Sequence, residues 1–160
     1  MSKKITSLFN FKKLQKFSSA LMLPIAILPA AGLILAIGIS FNIELLANCG
    51  GLIFANLPLL FCVGIVIGLT GDGSSSLSAI ISYMIMHATM GTPLGITAES
   101  VAASNGDYAM ILGVPTLQTG VFGGLIVALF VYLLYTRFHN IDLPTLLGFF
   151  GGKRFVPIIT

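Results

Sequence analysis

Few side chains in this sequence could carry chemistry, and they stand far apart. His87 lies in the run SAIISYMIMHATMG, where an imidazole among apolar residues could relay a proton or hydrogen-bond a polar ligand. An ionisable group inside an apolar segment is a functional candidate by default. The competing and favoured account is a neutral imidazole bonded to the serines of its own helix bundle. Gln118 and Thr119, in GVPTLQTGVFGG, both donate and accept hydrogen bonds, as a sugar's hydroxyls would require. The favoured alternative has Gly113, Gly120, Gly123 and Gly124 permitting close helix packing while Gln118 satisfies a neighbour's backbone.

Lys153 and Arg154, in FFGGKRF, could attract an anionic cytoplasmic partner, although basic residues beside an apolar segment also fix membrane orientation, and that reading leads. Asp72, between two glycines, could sense a partner, but Asp-Gly is first of all a turn dipeptide. Cys49 and Cys62 fall in a loop and an apolar run, with no CxxC and no clustered His, so a metal or disulfide role is disfavoured. No phosphate-binding loop, zinc signature or nucleophile elbow occurs. The expectation is of no catalytic residue, no metal and no cofactor.

The elements that hold these residues are set by composition. The chain has 160 residues, 56% hydrophobic and only 8% charged, against about 25% charged in a soluble domain. All eight Lys and Arg lie at Lys3 to Lys16 or Arg137 to Arg154. A net charge of +3 arranged in this way does not suit nucleic acid, which needs basic residues along a face. It suits the flanks of membrane spans. The spacing predicts an all-α polytopic transmembrane bundle with spans near 17–39, 51–70, 74–92 and 111–136, plus the start of a fifth at Phe155 to Thr160. Pro24 and Pro29 predict a bent first span. Residues 1–16 read as a cytoplasmic or interfacial amphipathic segment.

Charge checks the count. If both basic clusters are cytoplasmic, the number of crossings between them is even, and four satisfies this where three or five do not. Asn42 to Gly50 and Pro93 to Asp107 would then be outward loops, and the GDG turn would face inward. No ring of charge lines any span, which disfavours a small channel.

Long strings then carry a family resemblance: LQKFSSALMLPIAILPAAGLILAIG, FANLPLLFCVGIVIGL, the GDG turn, LGVPTLQTGVFGG and RFHNIDLPTLLGFFGGKRFVPIIT. They resemble the membrane-embedded IIC component of bacterial phosphotransferase-system sugar permeases, in the glucose branch of the glucose, N-acetylglucosamine and maltose superfamily. The resemblance implies a multi-pass protein of the bacterial cell membrane, usually a homodimer, that takes up glucose or a related hexose. A IIB partner phosphorylates the sugar with phosphate relayed from phosphoenolpyruvate through enzyme I, HPr and IIA. It implies that residues 17–160 are the N-terminal part of a longer IIC domain, with most of the sugar site in the later half. His87 falls where Asn is expected in many relatives, and GIT at Gly95 to Thr97 is not the family's sugar-site motif. The alternative is a truncated membrane interaction protein that dimerises with an intact permease and modulates it.

Overall fold

The computed structural model describes residues 11–141, 144, 148, 149 and 151–160. The expected amphipathic segment at 1–16 lies mostly outside these. Its last residues, from Phe11, already belong to the first helix.

Apolar runs become helices because a helix satisfies its own backbone. Helix α1 is Phe11–Ser40 and runs unbroken through Pro24 and Pro29. Its 30 residues extend about 45 Å, more than a hydrocarbon core of about 30 Å requires. Helix α2, Glu44–Ala55, returns along it, and α3, Leu57–Thr70, follows after a 58° bend. Residues 44–50, expected as a loop, are therefore helical and carry Cys49 with them. The polar residues Glu44, in the first turn, and Asn48 both lie exposed. The bend has a local cause. Pro58 sits in the first turn of α3 and cannot donate, while Asn56 turns its Nδ2 back to the Leu52 carbonyl at 2.9 Å.

Helix α4, Gly73–Gly91, starts at the GDG turn, where the Asp72 carboxylate accepts from the Ser74 amide at 3.2 Å as an N-cap. The short α5, Ala98–Ala103, is capped by Thr97 and interrupts what read as an outer loop. A hairpin of β1, Tyr108–Ile111, and β2, Val114–Leu117, comes next, paired antiparallel with Ile111 opposite Val114. Helix α6, Gly120–Phe138, follows, then a 3-10 turn at Gly152–Phe155 and the short α7, Val156–Ile159.

The hairpin is the departure from an all-helical reading, and it takes the place of the first residues of the segment expected at 111–136. Leu112 and Gly113 both have positive φ, 50° and 82°, as a two-residue hairpin turn of matching twist demands. Gly113 therefore serves the turn and not helix packing. Pro115 stands opposite Met110, between the bonded pairs, so its missing N–H breaks no ladder bond.

The core lies where α3, α4 and α6 meet, with Cys62, Ile65, Val66, Ala79, Tyr83, Val127, Ala128 and Val131 buried and Ala20 of α1 closing it. Small residues let the backbones approach. A Cβ on Gly68 would stand 2.6 Å from the Ala20 Cα, one on Gly64 2.8 Å from Pro24, and one on Gly50 2.7 Å from the Leu35 backbone. Gly124 of α6 rests on the Pro58 carbonyl. This is how helices associate where no water drives them together.

The outer surface is apolar. Leu33 is 65% exposed, Phe122 78%, Ile126 66% and Leu133 64%, a belt that suits lipid and not water. Two helices, α1 and α6, are long and apolar enough to cross a membrane, or three spans if bent α2 and α3 count as one.

Candidate functional site

His87, Gln118 and Thr119 gather around the hairpin. His87 is fully buried on α4, with Nδ1 3.4 Å from the Thr116 hydroxyl of β2 and its ring edge-on to Tyr83 at 4.5 Å. Its partner is thus the hairpin, not the serines of its helix. Those serines are otherwise engaged or alone: Ser75 donates to the Asp72 carbonyl at 2.6 Å and Ser78 bonds the Ser74 carbonyl, while Ser76 and Ser82 find no partner among the described residues. His87 Nε2 and Thr119 Oγ1 are likewise buried without a partner among them. The hairpin is held against α4 because Gly91 lets the Pro115 carbonyl come into contact with it.

Gln118 is exposed at the end of β2, its amide N–H bonded to the Asp107 carbonyl at 2.9 Å. It does not satisfy a neighbouring helix; its side chain instead borders a cavity of about 410 Å³. Asn56 and Pro58 at the α2–α3 break, Tyr83 of α4, and residues 109–112 of the hairpin form the other walls. Gly120, with φ +58° and open space beside it, sets the chain's entry into α6 and takes no part in packing. Of the four glycines offered for close packing, Gly124 meets another helix, while Gly123 lies against the Thr119 side chain and a methionine of α4.

The opposite end of α3 is polar and tied together. The Asp72 carboxylate accepts from the Ser74 amide at 3.2 Å, the Ser74 hydroxyl at 3.1 Å and the Tyr135 hydroxyl at 3.0 Å, and pairs with Lys153 Nζ at 3.4 Å. Burial pushes the Asp72 carboxyl up, but the Ser74 amide, the Tyr135 and Ser74 hydroxyls and Lys153 together hold it below the ordinary carboxylate range. One residue thereby joins the α3–α4 turn, the end of α6 and the 3-10 turn. Arg154 lies apart from this cluster, its guanidinium 5.0 Å above the Phe149 ring.

Sequence reasoning found Asp72 and Lys153 separately but missed that they meet, and missed Tyr135 altogether. A tyrosine two residues before Arg137 on an apolar helix carries no signal of its partner. Tyr83 and Asn56 were also missed as cavity walls. Asn56 had a readable signal, a lone amide two residues before a proline in an apolar run.

Neither end assembles a nucleophile with a base, and among the described residues no three His, Cys, Asp or Glu side chains gather. What the chain offers is neutral hydrogen-bonding groups at the hairpin and an electrostatic clasp at the turn. The family model described as "Phosphotransferase system, EIIC" matches residues 18–160. The "PTS system glucose-specific EIICBA component" of Staphylococcus saprophyticus subsp. saprophyticus is 45% identical over 93% of this chain. The chain spans about a quarter, 25%, of that relative's length. With a family match from residue 18 to 160 and a relative 45% identical over 93% of this chain, the chain belongs to the EIIC family of the phosphotransferase system.

Proposed function

We propose that this chain forms the membrane scaffold of a phosphotransferase-type permease that takes up glucose or a related hexose while cytoplasmic partners phosphorylate it. The observation that carries this reading is the match of nearly the whole chain to a glucose-specific relative. The chain's own share is positional: it builds the bundle, and phosphoryl transfer belongs to IIB and IIA units. In the complete permease the scaffold pairs with a second copy in a bacterial cell membrane.

Four crossings with both ends cytoplasmic fit best. Helix α4 is less apolar than α1 and α6, but its Ser75, Ser78, Tyr83 and His87 are buried inside the bundle, so lipid does not meet them. Its 19 residues extend about 28 Å, enough to cross.

The test is a chimera in which this chain replaces the matching quarter of the Staphylococcus saprophyticus relative, expressed in a bacterium without glucose phosphotransferase uptake. Phosphoenolpyruvate-dependent accumulation of labelled sugar phosphate is expected. A chimera that inserts in the membrane yet accumulates none would overturn the reading.

A further inference from the structure

We infer that the groove between α4, α6 and α7 seats an acyl chain of an anionic phospholipid whose phosphate is held by Arg137, Lys153 and Arg154. The groove has a volume of about 290 Å³ and is walled by Ile85 and Met86 of α4 and by Ile126 and Phe130 of α6, with Thr160, just past α7, at its rim. Ile85, Ile126 and Phe130 are exposed, so the groove opens outward, where lipid is the solvent. An apolar cavity of about 150 Å³ already takes up a benzene ring, so this one has room for a stretch of alkyl chain.

Its place along α6 fits the length of a lipid. Ile126, Phe130, Leu133 and Arg137 recur at helical spacing and share one face of α6, so the groove wall leads directly to a cation. The helical rise puts Ile126 roughly 16 Å from Arg137, about half of a hydrocarbon core of about 30 Å. The groove therefore lies near the bilayer midplane and Arg137 at the headgroups, the two ends of a lipid in one leaflet. The opposite rim has the same polarity: α7 packs against α4, and the 3-10 turn before it carries Lys153 and Arg154. The Gly152 amide donates to the Ile141 carbonyl at 3.0 Å, which ties that turn to the chain just past α6. Lys153 and Tyr135 also share the Asp72 carboxylate. Both basic rims thus lie at the same end of the bundle.

Charge selects the headgroup. Arg137, Lys153 and Arg154 are all exposed, and among the described residues the one ion pair joins Lys153 to Asp72. The two guanidiniums therefore meet no acid there; Arg154 lies against the Phe149 ring and carbonyl. A guanidinium takes phosphate through two parallel N–H bonds, and basic pockets between membrane helices on the cytoplasmic side favour anionic headgroups. A zwitterionic headgroup would bring a cation of its own into the cluster. A neighbouring protein helix would fill the groove but leave the arginines without an anion. The Ser82 hydroxyl, which borders the groove and has no partner among the described residues, is not stranded by an alkyl chain, because a serine in a helix can turn to the carbonyl one turn back. The inference needs the chain to lie in a bilayer and does not depend on sugar uptake.

The sequence contains no tryptophan, so Phe130→Trp gives the groove a sole fluorophore and Leu33→Trp gives one to the exposed face of α1. Each 160-residue chain is reconstituted in phosphatidylcholine vesicles containing a small fraction of lipid brominated on its acyl chains, either phosphatidylglycerol or phosphatidylcholine. In the groove, brominated phosphatidylglycerol is expected to quench at a mole fraction at least ten-fold lower than brominated phosphatidylcholine. On α1 the two are expected to quench alike. Adding Arg137→Gln or Arg154→Gln is expected to reduce the groove's preference roughly five-fold, and both together to bring it level with the α1 position.

Equal quenching by the two lipids in the groove overturns the proposal. The same preference on α1 also overturns it, since that would be a general attraction of the basic chain for anionic lipid. Quenching by neither lipid would mean that protein, a second copy included, fills the groove, and overturns it too. Because tryptophan alters one wall, the unmodified chain is also extracted into mild detergent from vesicles holding equal amounts of the two lipids, and its bound lipid is identified by native mass spectrometry. Retention of phosphatidylglycerol by the unmodified chain, and its loss with Arg137→Gln and Arg154→Gln combined, is expected. Retention of both lipids equally, or of neither, overturns the proposal. Sugar uptake by the chimera is read separately, so a groove that binds no lipid leaves the permease reading intact, and an inert chimera leaves the groove intact.

Discussion

Asp72 concentrates more interactions than any other described side chain, and its charge makes them depend on pH. Its carboxyl is held below the ordinary value in the fold, so protons bind the unfolded chain more readily. The associated stability is fully present above the unfolded value, near 3.8, and is lost as pH falls through the lower folded value. Asp72→Asn keeps a capping side chain but removes the charge. Its thermal midpoint in detergent is expected to vary less than the wild type's as pH drops from about 5 into that acid range. Parallel curves for the two proteins would show that another carboxyl governs acid lability. Lys153 contributes less: its side chain is 61% exposed, and Lys153→Ala is expected to cost no more than about 1 kcal/mol. His87 and Thr116 meet at 3.4 Å, a long bond. A double-mutant cycle with His87→Phe and Thr116→Val is expected to give a coupling of about 0.5 kcal/mol, as is usual within membrane bundles. A coupling above about 2 kcal/mol would mean that the pair does more than fasten the hairpin to α4.

Between elements, backbone approach decides which glycines are indispensable, and neighbours on one helix differ sharply. A Cβ on Gly50 would stand 2.7 Å from Leu35 N, Cα and Cβ, whereas one on Gly51 meets nothing within 4 Å. Gly50→Ala must push α2 off α1 and is expected to cost roughly 1–3 kcal/mol. Gly51→Ala is expected to stabilise by about 0.4–1 kcal/mol, through the helix propensity it gains. Unfolding of both variants in the same detergent checks the contrast, and equal effects would mean that α1 and α2 do not pack as described. The sequence could not distinguish these two residues, because which of two adjacent glycines faces α1 is set by how α2 packs back along it and not by anything local to the pair. The helices themselves were legible, since long apolar runs between polar punctuation leave a buried backbone few other choices. The Asp-Gly turn was legible too. The hairpin was not: four-residue strands carry too little periodicity, and GVPT reads equally well as a broken helix entry. The candidate site was legible by half. Gln118 was recognisable from its chemistry, but Tyr83 and Asn56 join it only through tertiary folding.

At the scale of the whole molecule, composition and charge make different demands on α4, and its orientation decides between them. By apolarity and length alone the chain has two spans, or three with the bent pair counted as one. Charge placement, with basic residues at both ends and none from Phe17 to Thr136, asks for an even number. The two agree if α4 crosses with its polar residues turned inward, because hydropathy counts side chains regardless of what they face. The consequence is a definite sidedness. Single cysteines at Asn42, Gly73, Asn105 and Asn140, in a Cys49→Ser background, are all at turns or exposed positions. In intact cells an impermeant thiol reagent is expected to label Asn42→Cys and Asn105→Cys, and to reach Gly73→Cys and Asn140→Cys only after permeabilisation. If Gly73→Cys and Asn105→Cys respond alike, α4 does not cross, the count is odd, and one basic cluster lies outside the cell. That outcome would also contradict the Asp72 clasp, since Asp72 before α4 and Tyr135 and Lys153 at the far end of α6 would then lie on opposite sides of the membrane, although the Asp72 carboxylate meets both.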